Sequence, residues 1–250
     1  MGWMITPHST RHEPKQSLRM KARSFLKRQW QEWRGTILFF VFVLVPVKSV
    51  LADMNWVPTG SMNPTIVEGD LIYVDKLAYD LRFPLTQHSL QHRADPERGD
   101  IAVLFSPQDG TRLVKRVIGL PGDELRLVNN LLFINGMQAD YSELPAEATG
   151  DLEEALKRIS VFAEEDLGDR SHAVMSTPAI RTNHRSFDPI MIPPGCYFVM
   201  GDNRDNSLDS RFYGVVSRKQ FVGKASHVIA SFNILDNYQP RIRRFWQALQ

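Results

Sequence analysis

One serine of this chain lies in a segment whose backbone is stiffened on both sides. In residues 57–66, Ser61 stands between Pro58 and Pro64. Each proline fixes its own φ and biases the residue before it toward an extended conformation, and Gly60 leaves room beside the serine. The segment predicts a rigid loop that presents Ser61. The alternative is an ordinary Pro/Gly turn in which the serine is only solvated, because such turns have the same composition.

A serine hydroxyl is a weak nucleophile until a base takes its proton, so chemistry at Ser61 requires a basic side chain from elsewhere in the chain. The usual base is histidine, which must be oriented by a third group. The candidates lie in polar segments or lack acidic or apolar neighbours that would orient an imidazole; they are His88, His92, His172, His184 and His227. We therefore do not favour a Ser/His/Asp triad, and we expect most histidines to lie at the surface.

Lys115 is the better candidate for the base. Lys115 and Arg116 interrupt an apolar strand pattern over residues 112–120. Because neighbours on a strand point to opposite faces, we expect one of these cations to face inward and the other to face solvent. A free lysine has a pKa near 10.4, but burial can lower it by about 3–5 units and allow the amine to accept a proton. An edge strand with two surface cations is the alternative.

A third segment, residues 201–211, is dense in Asp, Asn and Ser, which hydrogen-bond readily to nearby backbone. Asp209 and Arg211 can form an ion pair there, and the Ser207 hydroxyl can hold a neighbouring amine. The spacing lacks the glycine and terminal glutamate of an EF-hand, so calcium is not predicted. No Cys/His cluster has zinc spacing either, so we predict neither metal nor cofactor.

The N-terminal part is basic and leads into the only long apolar run, residues 37–47. A helix that crosses the bilayer needs about 20 residues, and residues 35–56 have that length. We predict one transmembrane helix over 35–56, with the basic residues 1–34 in the cytoplasm and residues 57–250 outside. A cleaved signal peptide and a buried core helix are the alternatives.

The rest of the chain is predicted to be mainly β, because 15 Pro and 15 Gly indicate many turns. Strands are expected over residues 70–75, 100–105, 112–120, 124–128, 131–134, 196–200 and 222–232. Residues 80–99 are expected to form a loop. A helix over 151–165, with Asp151 as its N-cap, is expected inside an insertion at about 140–190. The net charge of +2 does not indicate a nucleic-acid partner.

Together the three segments resemble the type I signal peptidases, membrane-bound serine/lysine endopeptidases that remove signal peptides from exported proteins. The resemblance covers most of residues 37–232 and is strongest over 57–70, 98–123 and 193–216. It implies an antiparallel β-sheet catalytic domain over 57–250 with a smaller inserted cap at about 140–190. It also implies catalysis without a cofactor.

The resemblance assigns roles to individual residues. Ser61 would be the nucleophile and Lys115 the general base, and the hydroxyl of Thr59 would join the Ser61 N–H in the oxyanion hole. Many members have serine at the position of Thr59. Support would come from Ser207, which would orient the amine, and from an ion pair of Asp209 and Arg211. The pockets for small residues at minus one and minus three from the cut would be lined by Val57, Met62, Ile66 and Val114.

The expected substrates are exported preproteins, and the expected location is the inner (cytoplasmic) membrane. The enzyme would be a single-pass monomer whose N-terminus is cytoplasmic and whose catalytic domain lies on the periplasmic side. One alternative is a dedicated processing peptidase of a secretion or conjugal transfer system. Another is a self-cleaving repressor-type peptidase, against which the anchor counts. A third is a non-catalytic membrane-tethered binding module, which requires an exposed, protonated Lys115.

Overall fold

The computed structural model describes residues 28–40, 50–83, 85–86, 88–168, 170–234 and 236–249. The chain divides into two compact units, residues 1–47 and residues 48–250. In the first unit, the described residues 28–40 are helical, and Trp30 and Trp33 are exposed on that helix. The second unit carries the strands and all the predicted site residues.

The largest sheet has nine strands, and all its neighbouring pairs are antiparallel. In spatial order its main path runs through β1 (Ala52–Trp56), β2 (Asp70–Asp75), β16 (Phe221–Asn233), β5 (Ile101–Phe105), β6 (Arg112–Gly119), β14 (Cys196–Met200) and β15 (Val216–Ser217). Two short C-terminal strands also pair with β16, namely β17 (Gln239–Pro240) and β18 (Gln247–Ala248). The long β16 thus joins β2, the strand that follows the predicted serine loop, to the two short C-terminal strands.

Smaller sheets and short helices complete the described part of the second unit. A four-stranded sheet has the order β13 (Phe187–Met191), β7 (Glu124–Val128), β8 (Leu131–Ile134) and β9 (Met137–Gln138). A three-stranded sheet has the order β10 (Asp140–Ser142), β11 (Val161–Asp166) and β12 (Ser171–Ser176), and a hairpin is formed by β3 (Asp80–Arg82) and β4 (Ser89–His92). The α-helices are Glu154–Ile159 and Ser210–Tyr213, and the 3₁₀ helices are Ala146–Thr149, Arg218–Gln220 and Ile242–Arg244.

The mainly antiparallel β fold confirms the prediction from composition and turn signals. The predicted strand 70–75 is β2, in which Ile72 and Val74 are buried and alternate with half-buried neighbours. This period-2 alternation is what a strand with one face on the core produces. The predicted hairpin is β7–β8, and Asn129 and Asn130 at its turn both have positive φ, as a tight hairpin requires.

Two local predictions are wrong. Residues 80–99 are not all loop, because they contain the hairpin β3–β4. Its second strand is wholly exposed, and Leu90 is its only apolar residue, so no apolar pattern marks it. The guanidinium of Arg218 supports the hairpin by bonding to Asp80, with Nη1 at 3.0 Å from Oδ2.

The predicted helix 151–165 is also wrong over most of its length. The helix spans only Glu154–Ile159 and is preceded by Glu153, not Asp151, at its N-cap. The following residues form β11, which pairs with β12 along its whole length. Tertiary contacts override the helical spacing here: Glu165 of β11 is fully buried in an ion pair with Arg204.

The predicted membrane span 35–56 lies partly outside the described residues, which omit 41–49. Among the residues that the structure describes, no helix combines the length and the apolar character needed to cross a membrane. Ala52–Trp56 form strand β1 and pair in register with β2. The predicted end of the span at residue 56 is therefore wrong, because these five residues belong to the sheet.

A buried ion pair ties β6 to the loop after β14. Arg116 binds Asp202 in a bidentate manner, with Nε at 2.9 Å from Oδ1 and Nη2 at 2.8 Å from Oδ2. Both side chains are only 1% exposed. The expectation that one of the neighbouring cations Lys115 and Arg116 faces solvent is thus wrong, because both side chains are buried, at 3% and 1% exposure.

We predict that Arg116→Met destabilises the protein by about 3–5 kcal/mol, because it leaves the Asp202 carboxylate buried without its counter-ion. Arg112→Met on the same strand is the matched control. The ion pair of Arg112 with Asp53 is 39% and 31% exposed and should contribute about 0–1 kcal/mol. Urea unfolding of the full chain in mild detergent, followed by tryptophan fluorescence, measures both. Equal losses for the two variants would contradict the prediction.

Candidate active site

The structure brings Ser61 and Lys115 into direct contact. Lys115 lies on β6 opposite Ala102 of β5, and its side chain reaches the loop between β1 and β2. Its Nζ lies 2.7 Å from Oγ of Ser61 and donates a second hydrogen bond of 3.0 Å to the carbonyl of Val114. Lys115 is only 3% exposed, whereas Ser61 is half-buried. A partly accessible hydroxyl is therefore joined to a buried amine.

Burial lowers the pKa of Lys115 to about 8. The main cause is desolvation, which disfavours the charged ammonium. The carboxylates of Asp209 and Asp202 raise the pKa in part, and the guanidinium of Arg211 lowers it again. A buried amine of this kind has a substantial neutral fraction near neutral pH and can take the proton of the serine hydroxyl.

The loop that carries Ser61 is fixed on the core from below. Val57, Met62 and Ile66 are 4%, 1% and 0% exposed and pack in one cluster with residues of β2, β5 and β16. Val114 is half-buried and packs against the same cluster. Of the four residues predicted to line substrate pockets, three thus lie in the core beneath the loop, and Val114 lies at its margin.

The segment 201–211 holds the serine loop from the side. The backbone N–H of Asn203 donates to the carbonyl of Ser61 at 3.2 Å, and its Nδ2 donates to the carbonyl of Gly60 at 3.0 Å. Gly201 must be glycine, because a Cβ there would lie 2.3 Å from the Ser61 carbonyl oxygen and 2.2 Å from Oγ of Ser207. Sequence reasoning missed both residues, and the only signal was their place in this dense polar segment.

Asp209 and Arg211 form the expected ion pair inside this segment. Nε of Arg211 lies 2.8 Å from Oδ1 of Asp209, and Nη2 lies 2.8 Å from Oδ2. The N–H of Gly201 donates to Oδ2 at 2.9 Å. Burial alone would raise the pKa of Asp209, but the bonds and charge of Arg211 outweigh it and lower the pKa. The carboxylate therefore stays ionised and satisfied by its own partners.

The two remaining hydroxyl residues of the prediction lie in different environments. Ser207 is buried, and its hydroxyl helps to lower the pKa of the neighbouring Asp209 carboxylate, although no described residue lies within regular hydrogen-bond geometry of its Oγ. Thr59 is exposed, two residues before Ser61 on the loop. The structure thus has one buried hydroxyl, that of Ser207, and one accessible hydroxyl, that of Thr59, near Ser61 in the chain fold.

A buried polar network lies behind the site. The Thr65 hydroxyl donates to Oδ2 of Asp202 at 2.5 Å, the same carboxylate that binds Arg116. His172 is buried nearby, with Nε2 at 3.5 Å from Oε1 of Glu165 and 3.8 Å from Oδ1 of Asp202. Burial holds its pKa well below the usual value, so His172 is neutral. The expected surface position is wrong for this histidine, which has acidic neighbours from other parts of the chain.

Comparison with known proteins agrees with this geometry. Residues 30–230 match the family model described as signal peptidase, peptidase S26. The signal peptidase I of Pseudomonas aeruginosa is 37% identical over 212 residues, covering 78% of this chain and 70% of its own. That of Rickettsia massiliae is 34% identical over 220 residues, covering 82% and 80%. That of Buchnera aphidicola (from Acyrthosiphon pisum) is 31% identical over 229 residues, covering 78% and 73%.

The chain therefore belongs to the signal peptidase family, peptidase S26. It is a serine endopeptidase of the signal peptidase I type, in agreement with the resemblance found in the sequence.

We predict that kcat/KM for peptide cleavage rises about tenfold per pH unit below pH 8 and levels off above it. The neutral amine of Lys115 is the active form, and its fraction increases as the pH rises through its pKa of about 8. Cleavage of a short signal-peptide substrate in detergent from pH 6 to 10 measures the profile. A midpoint below 7, or a rate that still climbs tenfold between pH 9 and 10, would contradict this assignment.

Proposed function

We propose that this chain acts as a general signal peptidase I, which cleaves signal peptides from exported preproteins after small residues. Ser61 is the nucleophile and Lys115 is the base. The observation that carries the proposal is the 2.7 Å contact between the Ser61 hydroxyl and the buried amine of Lys115. Nucleophilic catalysis by serine requires a base within this distance.

In the first step, the neutral amine takes the Ser61 proton while Oγ attacks the scissile carbonyl. The carbonyl oxygen becomes an oxyanion, which the Ser61 N–H and the Thr59 hydroxyl stabilise. The C–N bond then breaks, and the Lys115 ammonium gives its proton to the leaving amine of the mature protein. The signal peptide remains as an ester on Ser61. Water, deprotonated by Lys115, hydrolyses this ester and restores the serine.

Ser207 completes the hydrogen bonding of Lys115 during this cycle. An ammonium has three donors, and Ser61 and the Val114 carbonyl account for two of the contacts observed at Nζ. We infer that the buried Oγ of Ser207, which makes no regular hydrogen bond to any described residue, accepts the third donor during the cycle. The ion pair of Asp209 and Arg211 supports this segment and contributes the nearest carboxylate field at Lys115.

The substrate lies along the solvent side of the serine loop. Val57, Met62, Ile66 and Val114 pack closely beneath it, and we infer that this apolar floor offers substrate side chains only shallow depressions. Shallow apolar depressions accept small side chains at minus one and minus three and exclude large ones, because overpacking a well-packed site is costly.

The enzyme works as a monomer at the inner membrane, with residues from 35 to just before β1 as its anchor. The basic residues 1–34 favour a cytoplasmic N-terminus, which places the second unit on the periplasmic side. The signal peptide of the substrate lies in the same bilayer as the anchor of the enzyme. This shared location raises the effective concentration of substrate at the site.

The alternatives are less well supported. A non-catalytic binding module requires an exposed, protonated Lys115, but this side chain is buried. A dedicated processing peptidase would be indicated by relatives with that role, whereas the curated relatives are named signal peptidase I.

We predict that Ser61→Ala and Lys115→Ala each lower kcat/KM by about 10³-fold or more, because each removes one half of a unit that acts together. Matched controls are Ser142→Ala and Lys219→Ala, whose side chains are exposed; both should retain wild-type activity. The measurement is cleavage of a model preprotein in detergent, with mass spectrometry of the new N-terminus.

Two outcomes would change the proposal. If Lys115→Ala still cleaves at the wild-type rate, another group is the base. If wild type cleaves only one dedicated substrate and ignores unrelated preproteins with alanine at minus one and minus three, the function is dedicated rather than general.

A further inference from the structure

The C-terminal segment, residues 241–249, folds back onto the loop that carries Ser61. Its strand β18 pairs with β16, and the side chain of Arg244 is only 4% exposed. A buried arginine is rare unless its guanidinium is fully paired. The position of Arg244 therefore identifies a specific contact between the end of the chain and the active-site loop.

Arg244 binds two groups of that loop at once. Its Nε and Nη2 lie 3.1 and 2.6 Å from Oδ1 and Oδ2 of Asp70, and Nη2 also donates to the carbonyl of Thr65 at 2.9 Å. Nη1 lies 3.4 Å from Oδ2 of Asp151. The fully buried carboxylate of Asp70 also accepts the N–H of Val67 at 2.9 Å. The guanidinium thus fixes the C-terminal half of the loop. Its donors lie in a rigid plane and can bind several acceptors at once, whereas the ammonium of a lysine is a compact point charge.

Thr65 is held from the opposite side as well. Its hydroxyl donates to Asp202 at 2.5 Å, and Asp202 is paired with Arg116, the residue next to Lys115. A turn between Ile66 N–H and the Met62 carbonyl, at 2.9 Å, connects this part of the loop to the residue after Ser61. Arg244 and the Arg116–Asp202 pair therefore both fix the loop at Thr65. Ser61 lies in the same loop, and Lys115 lies next to Arg116 on β6.

We propose that Arg244 is a positioning residue for catalysis, which keeps Ser61 in hydrogen-bond distance of Lys115 through Asp70 and Thr65. This inference rests on the proposed function of the Ser61–Lys115 pair. It makes the last residues of the chain part of the active-site support. Arg244 touches neither substrate nor reacting atoms, so its loss should lower the rate of chemistry more than the binding of substrate.

The test compares Arg244→Ala and Arg244→Lys with Arg243→Ala in the full chain in detergent. Arg243 is the matched control, because it is the neighbouring arginine and its side chain is exposed. We expect Arg244→Ala to lower kcat at least tenfold with KM within about twofold of wild type, because the displaced hydroxyl no longer meets the amine. Arg244→Lys should recover part of kcat, and Arg243→Ala should stay within twofold.

Thermal unfolding of each variant separates positioning from loss of fold. If Arg244→Ala does not fold, the folded Arg244→Lys variant decides, because its ammonium can neutralise Asp70 but cannot hold both acceptors. A wild-type kcat in either folded variant would overturn the inference, as would a fall that matches the fraction of unfolded protein. If wild type itself does not cleave preproteins, the proposed function fails instead, which keeps the two failures distinguishable.

Discussion

The proposed active site depends on keeping the amine of Lys115 out of water and beside Ser61. Lowering the pKa of a lysine from 10.5 to about 8 disfavours the charged form by about 3 kcal/mol, at 1.36 kcal/mol per unit. At pH 7 the same shift raises the neutral fraction roughly 300-fold. Other interactions of the folded chain must offset this cost. The burial of apolar side chains in the core beneath the serine loop contributes favourable free energy of this kind.

The two carboxylates near Lys115 form ion pairs with arginines and not with the lysine. Asp202 forms a bidentate ion pair with Arg116, and Asp209 forms a bidentate ion pair with Arg211. A direct carboxylate partner would stabilise the ammonium and raise the pKa of Lys115. The two arginines prevent this while keeping the buried carboxylates satisfied, since an unpaired buried charge would be costly. Asp202 and Asp209 thus serve as anchors for the backbone around the site rather than as partners of the base.

Much of the strand pattern and the contact between Ser61 and Lys115 could be predicted, because both leave local signals. β2 shows period-2 alternation, the β7–β8 hairpin has Asn at its turn, and Lys115 is a cation in an apolar strand. The helix over 151–165 was predicted wrongly, because the burial of Glu165 depends on Arg204, far away in sequence. The end of the anchor at residue 56 was wrong because β1 is defined by its partner β2. Asn203 and Arg244 escaped prediction for the same reason: their contacts join distant segments, and the polar segment around Asn203 does not by itself reveal which residues it meets.

The most direct test of this account is the titration of the Lys115 amine itself. The full chain, labelled with ¹³C at lysine Cε and held in detergent micelles, gives one NMR resonance per lysine, and Lys115→Arg identifies the resonance of interest by its loss. We expect a midpoint near pH 8 for this resonance and a shift of that midpoint in Ser61→Ala. A midpoint near the unperturbed value of about 10.4 would show that the amine is charged at neutral pH, and the Ser61–Lys115 mechanism would be contradicted.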